Sequence, residues 1–300
     1  MPLTTSVLYR GPLASCNYGC FYCPFAKREA SQAELHRDEM ALRHFCKWVA
    51  RQESGQLSIF FTPAGEALTF PWYREAMVEL GALPHVNKVV AQTNLSCDLD
   101  WIARADAAKT RLWCTFHPNQ TSLAAFRGQC ERLRRYGIGF SAGCVGLKEH
   151  IPHIRQLRDT LPADCYVWVN AFKEKSDYYD TATLDILTQI DPFFPINNKH
   201  HPSLDRACQC GSTAFAVDGD GNIRRCHFVP QILGNIRETQ LDHCRAERTC
   251  PNLTCGCHIG YVHLDHLQLG SLFGDGLLER IPIRLPHRRM PVRRPSKHVQ

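Results

Sequence analysis

Three cysteines crowd into eight positions of the 300-residue chain: Cys16, Cys20 and Cys23 in SCNYGCFYCPF, with Tyr22 ahead of the last and Pro24 after it. Closely spaced thiolates of this kind can wrap one corner of a metal centre, as they do around iron–sulfur clusters. A 4Fe-4S cube takes four ligands and the loop offers three, which leaves one iron open to a small molecule, much as the unfilled position of a catalytic zinc site admits substrate. A zinc knob completed by His36 or His117 is the structural alternative for the same residues.

A second cysteine field holds seven of the sixteen cysteines, Cys208, Cys210, Cys226, Cys244, Cys250, Cys255 and Cys257. The remaining six, Cys46, Cys97, Cys114, Cys130, Cys144 and Cys165, are scattered singly through apolar segments, where a buried thiol behaves as a small hydrophobe. The opening MPLTTSVLYRG has no basic region followed by an apolar run, and no apolar stretch approaches the ~20 residues that span a bilayer. A cytoplasmic protein with no membrane segment is expected, and a reducing cytosol favours metal ligation over disulfides wherever cysteines cluster.

These residues need a scaffold, and 44% apolar content over 300 residues can bury one. Short β-rich runs alternate with amphipathic stretches of helical length. TTSVLY leads into the cysteine loop, and a helix follows in which Leu35, Leu42, Phe45, Cys46 and Val49 share a face. LSIFF precedes a helix opening at Pro71; KVVAQ precedes one capped near Ser96 or Asp98; RLWCTF precedes one from Ser122 to Gly137. GFSAGCV precedes a helix with Pro152 in its first turn, and CYVWVNA one near ATLDILTQI.

Six strand–helix units in about 190 residues fall short of the eight of a closed barrel, so the expected fold is α/β, a partial (β/α)6 TIM-like barrel. The unusual residues all come just after strands: the cysteines, then Ala64-Gly65-Glu66, Asn94, His117, Gly146 to Glu149, and Asn170. Loops at the C-terminal strand ends of parallel α/β folds converge on one mouth, so one pocket could gather them.

The stretch Cys16, Cys20, Tyr22, Cys23 resembles the signature of the radical S-adenosylmethionine (SAM) superfamily, C-x3-C-x2-C with an aromatic before the last cysteine. The resemblance implies that Cys16, Cys20 and Cys23 hold a catalytic 4Fe-4S cluster whose open iron binds SAM, and that an electron from the cluster generates a 5'-deoxyadenosyl radical. It likens TPAGEAL to the segment that binds the SAM amino group, with Gly65 permitting close approach and Glu66 supplying a carboxylate. Asn94 in QTNL, and Gly146 and Glu149 in VGLKE, resemble ribose- and adenine-side segments; His117 and Asn170 are compatible with adenosine or substrate contacts.

The second field is similar to the C-terminal auxiliary-cluster domain called SPASM, or Twitch in its shorter form, on the strength of Cys208, of Gly221 followed by Cys226, and of LGNI beyond. VDGDGNIRRC reads as a hairpin that puts Cys226 on its return strand. The resemblance implies one auxiliary 4Fe-4S cluster held by Cys208 or Cys210, by Cys226, and by two of Cys250, Cys255 and Cys257; a zinc ribbon is the alternative. The expected domains are a barrel over residues 1–195, an auxiliary domain over 200–260, and an extension over 261–300 ending in a basic, proline-rich tail.

The tail holds six Lys and Arg and no acid, leaving 29 basic against 29 acidic residues elsewhere. An extended solvated segment is expected there, with nucleic acid possible but not favoured. The likeness implies modification of a peptide, a protein side chain or a small natural product, with an electron donor such as flavodoxin or ferredoxin. A tRNA-modifying enzyme of the same superfamily and a zinc-binding interaction module without turnover are the alternatives.

Overall fold

The computed structural model describes residues 4–25, 29–52 and 55–285. Six strands, β1 (Thr4–Arg10), β2 (Gln56–Phe61), β3 (Val86–Thr93), β4 (Thr110–Thr115), β5 (Gly139–Val145) and β6 (Val167–Asn170), lie side by side in chain order and all run parallel. Sequential parallel pairing follows from right-handed crossovers through helices. The sheet stays open, so it is a partial barrel, as the six units imply.

Side chains alternate across this sheet. Val7, Ile59, Val89, Leu112 and Val167 pack outward against helices, while Leu8, Phe60, Val90, Trp113 and Trp168 point inward. The outer layer comprises α1 (Gln32–Ala50), α2 (Pro71–Gly81), α3 (Leu123–Arg135), α4 (Ile151–Thr160) and α5 (Thr181–Ile190). Local signals set these boundaries: Ser31 and Glu34 form a reciprocal capping box on α1, Pro71 opens α2, and Ser122 and Asp180 cap α3 and α5.

One expected helix is absent. After β3 the chain makes only a 3₁₀ turn at Asp100–Arg104, with no side-chain cap at its start. The side chain of Asp98 accepts from the Asp100 N–H, and the next strand begins at Thr110, so little chain is left to propagate a helix there.

On its other side β1 pairs, again in parallel, with β9 (Ala214–Asp218), and β10 (Asn222–Arg224) and β11 (Ile232–Asn235) continue antiparallel from it. The hairpin between β9 and β10 forms as expected: Asp218 Oδ1 accepts from the N–H groups of Asp220 and Asn222, and Gly221 takes a positive φ of 83°. Cys226, however, lies two residues beyond the end of β10 rather than on it. Two-residue pairs brace the rest of this region, β7 (His201–Pro202) with β13 (Thr254–Cys255) and β8 (Ala207–Cys208) with β12 (Arg248–Thr249).

The interior of the open barrel is filled by the end of the chain. Tyr261, Val262, Leu264, Leu269, Phe273 and Leu278 pack on the inward side chains of the strands. Lys88 reaches inward to the Glu279 carboxylate at 2.9 Å, and Ser141 Oγ donates to the Glu279 carbonyl. Arg280, 1% exposed, lies 5.2 Å from the Trp113 ring centroid and 4.8 Å from that of Trp168. The basic tail expected over 281–300 lies outside the described residues beyond Leu285.

Candidate active site at the barrel mouth

The cysteine loop leaves β1 and folds back over the sheet because its neighbours bind its backbone. The Gly65 and Glu66 N–H groups donate to the Leu13 and Ser15 carbonyls at 3.1 and 3.0 Å. A Cβ on Gly65 would sit 2.0 Å from the Ser15 carbonyl oxygen, so glycine is needed there for the close approach of the chain's own backbone. From α1, the buried Asp38 accepts from the Leu13 N–H at 3.1 Å, and it is itself held by Trp72 Nε1 and the Tyr73 hydroxyl at 2.8 and 3.0 Å. No motif pointed to Asp38.

The loop after β4 grips the same cysteines from the other flank. Gln120 Oε1 accepts from the Gly19 N–H at 3.0 Å, and His117 Nδ1 lies 2.8 Å from the Tyr22 hydroxyl and 3.3 Å from Cys20 Sγ. Burial, then the neighbouring His150, push His117 down to about 4, so its imidazole is neutral near pH 7. At the end of β3, Asn94 Nδ2 donates to Asn17 Oδ1 at 3.0 Å and lies 3.9 Å from Cys16 Sγ. Leu95, directly after it, has a positive φ of 59°, a strained conformation for a leucine.

Glu66 is 5% exposed, and donors within the chain meet both of its oxygens. Oε1 accepts from Thr93 Oγ1 at 2.6 Å and Leu68 N–H at 3.3 Å, and Oε2 from Asn94 N–H at 2.6 Å. Burial outweighs these bonds and raises the carboxyl to about 7. The Cys16 thiol is likewise pushed up to about 11 by burial, against the lowering effect of the Tyr18 N–H. A thiol in that state is protonated near neutral pH and would release its proton on binding a metal.

These loops enclose a cavity of about 410 Å³. Cys16, Cys20, Tyr22, Cys23, Gly65, Glu66, Asn94, His117 and Asn170 all line it. Gly146 and Glu149 do not: Gly146 ties β5 to β6 by donating to the Asn170 carbonyl and accepting from the Tyr179 hydroxyl, and Glu149 is exposed on a 3₁₀ turn. The structure also brings in Arg10, Tyr18, Thr93 and Lys173, which no motif singled out. Arg10 ends β1 and Lys173 follows β6 by three residues, so the rule that located the other site residues, polarity just after a strand, reaches both.

In the second field the Cys210 thiol interacts with those of Cys208 and Cys226, which lowers Cys208 to about 7 and lowers Cys226 as well. Cys255 is electrostatically close to Cys226, Cys257 and Cys250. Cys244 stands apart, its thiol directed at the Leu233 carbonyl, and Cys257 faces the barrel cavity. Among the described residues no group of three or more His, Cys, Asp or Glu is arranged around a single metal-ion position. No described helix is long and apolar enough to cross a membrane.

No protein-family model matches the chain, and no curated protein does. Solved structures do. The chain is similar to anSMEcpe with bound AdoMet and Cp18Cys peptide, at 16% identity and a TM-score of 0.55, over 80% of each chain. It is also similar to Streptococcus suis SuiB bound to S-adenosylmethionine, at 16% identity and a TM-score of 0.51, over 80% of this chain and 65% of that one. Both of those structures hold S-adenosylmethionine, and at this level of identity the likeness concerns architecture. With three cysteines in the loop after the first strand of an open (β/α)6 barrel, the chain has the fold of these two S-adenosylmethionine-bound proteins.

Proposed function

We propose that the protein is a radical SAM enzyme that modifies a peptide, a protein side chain or a small natural product by hydrogen abstraction. The observation that carries this reading is the gathering of Cys16, Cys20 and Cys23 with Glu66, Asn94 and His117 around one cavity at the C-terminal ends of the strands. The donor set suits an iron–sulfur cluster, since three thiols come from one loop and share that cavity, and the Tyr18 N–H and the Asn94 amide lie near the Cys16 sulfur. When bound, the cluster and SAM supply one-electron chemistry that ends in a 5'-deoxyadenosyl radical, which no side chain of this protein could generate.

The chain's own part is placement. Glu66 holds the ends of β2 and β3 together and presents a partly protonated carboxyl beside the cysteine loop, where the SAM amino group would sit. His117 fixes Tyr22, the aromatic that precedes the last cysteine, and Asn94 and Asn170 offer amides to the adenosine. The closed interior below Trp113 and Trp168 keeps water from the floor of the cavity. Bound peptide in anSMEcpe favours a peptide or a protein side chain as substrate.

The auxiliary cluster belongs to the same proposal, with ligands drawn from Cys208, Cys210, Cys226, Cys250, Cys255 and Cys257 and a role in relaying electrons from a flavodoxin- or ferredoxin-type donor. Anaerobic reconstitution followed by iron, sulfide and SAM-cleavage assays tests the reading. Iron-rich protein that forms 5'-deoxyadenosine is expected, with cleavage abolished and C-terminal iron retained when Cys16, Cys20 and Cys23 are all replaced by Ala. Zinc with neither iron nor sulfide, or undiminished cleavage in the triple variant, would overturn it.

A further inference from the structure

Two cations face the candidate active-site cavity without a carboxylate partner. Arg10, at the end of β1, lies over the Phe25 ring at 4.8 Å and donates to the Thr62 carbonyl at 3.3 Å. Lys173, beyond β6, donates to the Lys199 and Gly256 carbonyls at 3.0 and 2.6 Å. Among the described residues neither forms an ion pair, and neither bonds to the cysteine loop, Glu66 or Asn94. Of the two acids that line the cavity, Glu66 is taken up by its three donors, and the exposed Glu174 pairs with neither cation.

Arg10, Lys173 and Cys257 line this one cavity together. Arg280 adds to the field of the two cations from beneath the floor formed by Trp113 and Trp168, with its Nε and Nη1 unpartnered. A pocket that holds two unpaired cations and backs them with a third is electrostatically complementary to an anion.

We propose that Arg10 and Lys173 form a substrate subsite for a carboxylate, supplied by an acidic side chain or by the C-terminus of a peptide. A carboxylate there would take charge-assisted hydrogen bonds from the Arg10 guanidinium and the Lys173 ammonium. It would lie beside Cys257, between the ends of β1 and β6, the first and last of the six parallel barrel strands. This rests on the radical SAM reading for its substrate class, although the subsite itself is a property of the two cations.

The test is calorimetric titration of the reconstituted, SAM-loaded protein with three blocked tripeptides: Ac-Ala-Glu-Ala-NH2, Ac-Ala-Gln-Ala-OH and Ac-Ala-Gln-Ala-NH2. At least one of the two carboxylate peptides is expected to bind about tenfold or more tighter than the neutral one, and which of them does so identifies the source. R10Q and K173Q, made separately so that a folding defect in one leaves the other to decide, should each erase that preference while leaving SAM affinity within about twofold. Equal binding of all three peptides, or no binding up to about 10 mM, would overturn the subsite. So would variants that lose SAM affinity but keep the carboxylate preference, since the cations would then serve the carboxylate of SAM. Wild-type SAM binding and cleavage are measured alongside, so failure of the enzyme reading shows there and not in the peptide titration.

Discussion

The Tyr22 hydroxyl and His117 Nδ1 lie 2.8 Å apart, with their rings stacked at an interplanar angle of 14°, and the same nitrogen is 3.3 Å from Cys20 Sγ. One histidine, on the loop after β4, therefore clamps two residues of the cysteine loop. Removing the hydroxyl with Tyr22→Phe deletes a hydrogen bond worth about 0.5–1.5 kcal/mol, and His117→Ala deletes both contacts. Equilibrium SAM binding should weaken about two- to tenfold in the first variant and further in the second, with iron content retained in the first. Wild-type affinity in His117→Ala would show that this clamp does not hold the loop.

Gly65→Ala should destabilise the fold before it touches any ligand. The new methyl would meet the Ser15 carbonyl at 2.0 Å, which forces two backbone segments apart. Overpacking of this kind costs about 1–3 kcal/mol, to be read as a fall in the midpoint of denaturant unfolding of the apo protein. An unchanged midpoint would mean that the two segments separate without penalty.

The Glu66 carboxyl gives stability a pH dependence with a definite sign. Its folded pKa, about 7, lies above the ordinary value of 4.5 because burial disfavours the charged form. Between those values the folded state binds more protons than the unfolded one, so this group's contribution falls as pH rises from about 4.5 to 7 and is flat above. Glu66→Gln removes that slope. Unfolding of wild type and variant at several pH values across the window measures the difference; parallel curves would refute it.

The two cysteine fields make separable demands on metal. Cys226→Ser should lower the iron content of the reconstituted protein, because Cys226 interacts with Cys210 and lies near Cys255. Cys244→Ser should leave it unchanged, because the Cys244 thiol is directed at the Leu233 carbonyl. Elemental analysis of the two variants decides it, and an equal loss in both would add Cys244 to the ligands.

Arg280→Met should be at least as stable as wild type. The stacked guanidinium contributes about 2 kcal/mol of cation–π attraction, but its unpartnered Nε and Nη1 each forgo about 1–3 kcal/mol of hydrogen bonding to water. A thermally weaker variant would show that the stacking prevails. A stable variant with poorer carboxylate binding would assign the charge to the cavity.

The sequence by itself determined the strands, most of the helices and the order of the site residues. Period-two and period-3.6 patterns are local, and so are the Ser31, Ser122 and Asp180 caps, which is why β1 to β6 and α1 to α5 were legible. The three-cysteine loop was legible because its cysteines lie within eight positions of the chain. Only the tertiary structure decided that Gly65 serves Ser15, that His117 clamps Tyr22, and that Gly146 and Glu149 stay out of the cavity. It also decided that β9 extends the barrel sheet and that the segment ending in Arg280 fills its interior. Those pairings join residues tens to hundreds of positions apart, and long-range contact depends on how packed elements meet in space, which no local spacing records.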